Sequence, residues 1–383
     1  MSKPASFFLG LLLVFMTGFS PTSASSQESS ESDYPLFKLG RKYSIRSEIF
    51  GADRDIIIRL PPDYAVSGRK YAVLVFLQSN GRDRFAMAAA ALDYMNGQGQ
   101  IPEIALVGIE LPEGNFGLVP READGGTESV DRYLRFLAEE VFPFVDKTIR
   151  CNGYSILYGA SNSGIGALYA LLSGRLPCQA YIVSSPMLGW SPNLMAEATK
   201  KAFAGPVPGE RFLYLIASDD DFGRVKSQFP GYVKTLQTSA PSWLRWKAET
   251  RTNEGHVPEV DIPLGLRALF PDYNPTETLA SVNEFKRHYE LLSRRYGVAI
   301  EPPSALLFDA GFELVSSGEV EKGRELFEYF VNRYPWLASA HAGVGFAYGK
   351  RGDKDKARKC LIKALEIEPD NGWAKRLMKE NEK

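Results

Sequence analysis

Charge of one sign is what this sequence lacks: 45 Lys and Arg stand against 46 Asp and Glu in 383 residues, for a net charge of −1 and no long run of either sign. Without a polyelectrolyte footprint, nucleic acid and anionic membrane surfaces are not expected partners. Long apolar runs are missing too. After Phe19 no segment approaches the roughly 20 residues that cross a bilayer, so no integral membrane segment is expected in a mature chain. No metal-ligand spacing and no phosphate-binding loop occurs, and neither metal nor cofactor is expected. Histidine and cysteine number three each, so any imidazole or thiol chemistry is confined to a few positions.

The N-terminus has the three parts of an export signal. Lys3 gives a positive start, Phe7 to Phe19 an apolar stretch too short to span a membrane, and Thr22-Ser23-Ala24 a small-residue cleavage site. Residues 1–24 are therefore expected to be removed, with no cysteine at the cut to carry a lipid, and the protein to be periplasmic or secreted. Residues 25–38 are rich in Ser and Glu and read as a disordered leader. Export permits disulfides. Cys151 and Cys178 each precede a strand-like run, and in a parallel βαβ unit both would enter the sheet at the same edge, so they form either one bridge or two separate buried thiols. Cys360 is expected to be free.

Tyr43 to Phe50 and Asp55 to Leu60 alternate like a hairpin or edge pair. Beyond them the pattern changes to continuous apolar runs: Tyr71 to Leu77, Glu103 to Leu111, Tyr154 to Tyr158, Ala180 to Val183 and Phe212 to Ile216. Such runs suit parallel strands covered on both faces. Helical patterns separate them, the clearest being Val130, Tyr133, Leu134, Leu137, Val141 and Val145. Strand and helix in alternation predict an α/β sandwich over 39–273 with a mostly parallel sheet. Thr276 to Arg295 reads as an amphipathic helix within a connecting segment, 274–301. From 302 to 383 the chain repeats itself every 34 residues: Gly311 recurs as Gly345, Phe312 as Phe346, Gly318 as Gly352, Lys322 as Lys356 and Pro335 as Pro369. That is the period of the tetratricopeptide repeat, two antiparallel helices packed through small residues. Asp370 to Glu382, with Trp373 and Leu377 on one side, reads as its capping helix.

The apolar run ending at Tyr158 enters Gly159-Ala160-Ser161-Asn162-Ser163-Gly164, and an apolar helix leaves it. A tight strand-to-helix turn of this kind lifts a serine above the sheet in α/β hydrolases, usually as G-x-S-x-G; here Ser163 occupies the second glycine's place. A serine nucleophile needs a base. His288 lies among charged residues and His341 in a repeat, whereas His256 follows the last strand-like run, where this fold places its base. An acid between the two in sequence must orient the imidazole. Phe212 to Ser218 runs into Asp219, Asp220 and Asp221, of which Asp221 is preferred and Asp219 is the alternative. Oxyanion donors are expected from the backbone of Asn162 and of Asn80 and Gly81, after the Tyr71 to Leu77 run. Trp190 lines either the acyl pocket or the core.

RDIIIRLPPDY, YAVLVFLQSNG, IPEIALVGIEL, FLAEEVFPFVD, ILYGASNSG, AYIVSSPMLGW and EGHVPEVDIPLGLRALF, in that order between Ser44 and Tyr273, resemble the esterase family that includes the enterochelin esterase and esterase D type enzymes. The resemblance implies an α/β-hydrolase fold and cofactor-free cleavage of a carboxylic ester through an acyl-enzyme on Ser161. The chain departs from the family pattern at Ser163, at Ser218 and at Asp221, and its Pro112 to Ser129 loop lacks the expected Arg/Asp pattern, which leaves the ester unassigned. The alternative is an inactive hydrolase fold whose repeats present a groove to a protein or peptide.

Overall fold

A computed structural model describes residues 39–77, 82–111, 116–121, 126–207 and 209–382. The expected export signal and leader, and the loop carrying Asn80 and Gly81, lie outside these residues. Eight strands form one sheet: β1 (Arg41–Ser47), β2 (Ala52–Arg59), β3 (Tyr71–Leu77), β4 (Ile104–Ile109), β5 (Cys151–Ala160), β6 (Ala180–Ser184), β7 (Arg211–Ser218) and β8 (Leu244–Arg251). Their order is β1-β2-β4-β3-β5-β6-β7-β8. β1 and β2 are the expected antiparallel edge pair, and every pairing from β4 to β8 is parallel. Strand order reverses at β3, so the carboxyl ends of β3 and β5 flank the crevice where open α/β sheets place their ligands.

The continuous apolar runs are explained by two cores. Along β3, Val73, Val75 and Leu77 face one core while Leu74 and Phe76 face the other. Helix α1 (Arg82–Gly97) covers the second face. The first is covered by α2 (Glu128–Phe136), α3 (Asn162–Ser173), α4 (Pro192–Ala204) and α5 (Phe229–Ser239). The chain then returns to the second face with α6 (Asp261–Leu269) and α7 (Val282–Tyr296). This is a three-layer α/β sandwich. The helical pattern from Val130 to Val145 is not one regular helix. Leu137–Val141 forms a wider π turn before Phe142–Thr148, because Pro143 has no N–H to give the preceding turn and the ladder must shift register there.

α7 begins at Val282 rather than Thr276. Ser281 accepts the Glu284 N–H and Glu284 accepts the Ala280 N–H, a reciprocal cap that sets the start. Beyond it, α8 (Ser304–Ser316), α9 (Val320–Arg333), α10 (Ala338–Arg351) and α11 (Lys354–Ile367) form two helical hairpins, closed by α12 (Gly372–Asn381). The 34-residue period is a repeated contact. A Cβ on Gly311 would stand 3.0 Å from Phe327, and one on the equivalent Gly345 would stand 2.8 Å from the equivalent Leu361. Trp373 caps the stack against Phe308, Phe312 and Phe346, at ring separations of 5.2, 6.2 and 5.8 Å. The second core does not stop at residue 273: it continues through Phe285, Tyr289 and Tyr296 into Leu307, Phe327 and Phe330. Leu39–Lys383 accordingly forms one compact unit. Among the described residues no helix is long and apolar enough to cross a membrane.

Cys151 and Cys178 are free thiols. Ile156 pairs with Ala180, so Cys178 is level with Tyr154 and Cys151 sits three residues back, roughly 10 Å along the strand. The bridge is excluded by register, and the thiols are separate, Cys178 buried and Cys151 half-buried. Burial, with the Asp146 carboxylate beside it, pushes the Cys151 thiol up to about 12.

Where the repeats meet the sheet, the Arg69 guanidinium lies over the rings of Tyr334 (4.0 Å) and Trp336 (4.8 Å) and donates to the Arg333 carbonyl (2.6 Å). Beside it, burial and then the Asp63 carboxylate push Glu103 up to about 8. A carboxyl raised on folding stabilises the fold below its unfolded value, about 4.3, and that contribution is lost as pH rises towards 8. Glu103→Gln is therefore expected to raise the melting temperature at pH 8 by about 2–4 °C, to leave it near wild type at pH 5, and to flatten the pH dependence. Thermal unfolding of both proteins between pH 5 and 8 checks this; equal curves would show that Glu103 carries no such linkage.

Candidate active site

The turn after β5 is as tight as its sequence implies. A Cβ on Gly159 would lie 2.2 Å from the Ser163 carbonyl oxygen, and one on Gly164 would lie 2.9 Å from that of Ser184. Ser161 itself has φ 56° and ψ −118°, a conformation side chains rarely adopt. Ser163 is no loss to the turn: its buried hydroxyl accepts the Ala160 N–H (2.9 Å) and donates to the Ala160 carbonyl (2.8 Å), fastening the turn from inside. Asn162 heads α3, where the first N–H groups of a helix have no intrahelical acceptor, so its backbone N–H is available beside Ser161.

Three side chains from three loops meet here. His256 Nε2 is 2.8 Å from Ser161 Oγ, and His256 Nδ1 is 2.6 Å from Asp221 Oδ1. Asp221 is buried, which alone would push its carboxyl up; hydrogen bonds from His256, Ser185 and the Phe222 N–H outweigh that and hold it below its ordinary range. The neighbouring aspartates do different work. Asp219 accepts the Asn253 N–H (3.1 Å) and Asp220 the Gly255 N–H (2.9 Å), so both brace the loop that carries His256. The alternative acid Asp219 is thereby placed on Asn253 and not on the imidazole. His288 and His341 contact the carbonyls of Asp272 and Pro335, away from this constellation.

Trp190 is half-buried against the first core, yet its Nε1–H reaches the Asn162 side-chain oxygen (3.0 Å). The Arg224 and Arg121 guanidiniums lie 4.1 and 5.3 Å from its ring. It thus stands at the edge of both candidate places, core and site mouth. Across the site the ring of Phe222, 58% exposed, lies 4.2 Å from the imidazole.

Several residues at the site were not singled out from sequence. Ser185 joins Asp221 to the histidine loop. Beneath that loop the buried Asp261 accepts from Arg84 (2.7 Å) and from the Tyr158 hydroxyl (2.8 Å), while Arg84 also donates to the Val257 carbonyl (3.3 Å). Burial raises the Asp261 carboxyl although Arg84 and Tyr158 oppose it. An ion pair 177 positions apart in sequence, buried on its Asp261 side, leaves no local signature. Among the described residues no group of three His, Cys, Asp or Glu side chains is placed to hold a metal ion.

The turn after β5 thus brings Ser161, His256 and Asp221 together at the carboxyl edge of the sheet. Residues 47–230 match the profile of the family described as "Putative esterase", and residues 338–371 match that of the tetratricopeptide repeat. The sandwich segment is thus similar to that esterase family, with a tetratricopeptide repeat C-terminal to it. Over 97 residues the chain is 33% identical to the siderophore enterobactin esterase of Emericella nidulans; the stretch covers 24% of this chain and 31% of that protein, about a third of its length. An IroE-like serine hydrolase from Shewanella oneidensis superposes with a TM-score of 0.66 at 21% identity, over 77% of this chain and 99% of that one. An uncharacterised protein from Capnocytophaga ochracea gives 0.58 at 17% identity, over 89% of this chain and 99% of that one. At these identities the two structural likenesses are of fold.

Proposed function

We propose that the protein is an exported serine hydrolase that cleaves a carboxylic ester through Ser161, His256 and Asp221. The observation that carries the reading is the unbroken chain of hydrogen bonds from Ser161 Oγ through both ring nitrogens of His256 to the buried Asp221. Ser161 Oγ attacks the ester carbonyl while His256 Nε2 takes its proton. Asp221 holds the Nδ1–H and stabilises the imidazolium so formed. The Asn162 N–H receives the oxyanion. His256 then returns the proton to the leaving alcohol, and water activated by the same imidazole releases the acid. Export rests on the N-terminal signal-like stretch and implies a periplasmic or secreted enzyme. The Emericella relative is an enterobactin esterase, so a siderophore lactone is one candidate substrate beside acetyl, aryl and feruloyl esters and thioesters. The repeats would present a second ligand surface, for a protein or peptide.

Labelling with a fluorophosphonate tests the activated serine. Wild type is expected to label at Ser161 with one equivalent, and Ser161→Ala and His256→Ala to remain unlabelled. Folded wild type that takes no label, with no turnover of any ester offered, would remove the catalytic reading and make the ligand of the repeats the question.

A further inference from the structure

His256 is held by a loop whose backbone is strained: Val257, a β-branched residue, has φ 62°. Left-handed backbone is unfavourable for such a residue and persists only where neighbours impose it. What imposes it is identifiable. The Gly255 N–H goes to Asp220, the Val257 carbonyl accepts from Arg84, and the Val257 N–H goes to Ser185 Oγ (3.0 Å). The Ser185 hydroxyl in turn donates to Asp221 Oδ2 (2.6 Å). Ser185 is fully buried, its own φ is 44°, and its N–H is anchored on the Ile216 carbonyl of β7 (2.7 Å).

We infer that Ser185 is a positioning residue for hydrolysis, one hydroxyl that fixes both the orientation of Asp221 and the backbone that carries His256. The role rests on the esterase reading. Asp221 Oδ1 already serves His256 and the Phe222 N–H, so Oδ2 is the oxygen that decides how the carboxylate is rotated, and the hydroxyl is the group that holds it. The same hydroxyl receives the Val257 N–H, so acid and base are registered to one another through a single buried side chain. Its place after β6 keeps that side chain on the rigid sheet.

Ser185→Ala and Ser185→Gly test this. Both delete the hydroxyl, and glycine tolerates the positive φ, so that variant folds even where alanine is strained. The expected result for each is a fall in kcat of about 10- to 100-fold with KM within about twofold, because geometry rather than binding is lost. A purely structural role would leave the pH profile in place. Here the acid limb of kcat/KM is expected to move up by about 0.5 unit, since a carboxylate that has lost a donor binds the imidazolium more strongly. In an Asp221→Ala background the same substitution should cost much less. Ser185→Cys, which keeps a weak donor, should recover part of the rate. Folded Ser185→Gly with kcat within twofold of wild type and an unmoved acid limb overturns the inference while the hydrolase stands. A wild type that neither labels nor turns over overturns both.

Discussion

Ser161→Ala and His256→Ala are each expected to lower kcat on an activated aryl ester such as p-nitrophenyl butyrate by about 10⁵- to 10⁶-fold, and the double variant to lose no more than either alone. Residues that act as a unit are not additive: without the imidazole the hydroxyl keeps its proton, and without the hydroxyl the imidazole has nothing to activate. Asp221→Ala should cost less, about 10³- to 10⁴-fold, because it forfeits the tautomer and the charge stabilisation but leaves nucleophile and base in place. KM should change little in all three, since none of these side chains is needed to hold the ground-state ester. Steady-state kinetics of wild type and the four variants decides it. Ser161→Ala retaining a tenth of wild-type kcat would mean that another nucleophile carries the reaction, whatever the 2.8 Å contact between His256 and Ser161 suggests.

The features open to reading were those set by local rules. Five continuous apolar runs announced parallel strands because both faces of the sheet are covered, and the 34-residue period announced repeats because the same glycine meets the same bulky partner in each hairpin. Ser161 stood out by its turn and His256 by its place after the last strand. Asp221 was harder: three adjacent aspartates are chemically equal in sequence, and only the path of the backbone after Ser218 sends Asp219 and Asp220 to the neighbouring loop and Asp221 inwards. What escaped depends on three dimensions. The strained φ of Ser185 and Val257 arises from tertiary bonds and not from residue preference, and the pairing of Arg84 with Asp261 unites two helices far apart in the chain. The bridge between Cys151 and Cys178 was plausible by edge and failed by register. The pattern from Thr276 to Arg295 starts earlier than α7 because Ser281 and Glu284 close a cap inside an otherwise helix-compatible stretch.

Ending the chain at residue 273 is expected to abolish a cooperative fold, although all eight strands and the whole candidate site would be retained. The reason lies in the face of the sheet that α1, α6 and α7 cover. Phe270 packs on Tyr296 at 5.1 Å, Tyr154 on Tyr296 at 5.7 Å, and Tyr273 on Tyr289 at 5.9 Å. The Tyr296 and Tyr289 hydroxyls satisfy the carbonyls of Leu269, at the end of α6, and of Tyr273, just beyond it (2.7 and 2.8 Å). Removing 274–383 exposes Tyr154, Phe270 and Tyr273 together, leaves the Leu269 carbonyl with Arg245 alone as donor, and turns Tyr273 into a charged C-terminus. At about 1.5–3 kcal/mol for each large side chain, the loss is of the order of the whole net stability of a domain. Ending the chain at residue 301 instead keeps α7, but bares the side of it that meets the repeats, including the partners of Leu307, Phe330 and Tyr334. That protein is expected to fold with a melting temperature lower by about 10 °C or more and to self-associate. Thermal unfolding and gel filtration of 39–273, 39–301 and 39–383 separate the cases. A monomeric 39–273 melting with the full chain would show that the repeats are an appendage. The graded loss expected here would show that they are the outer wall of the sandwich core, so that a ligand on the repeats acts on the same cooperative unit that holds His256 against Ser161.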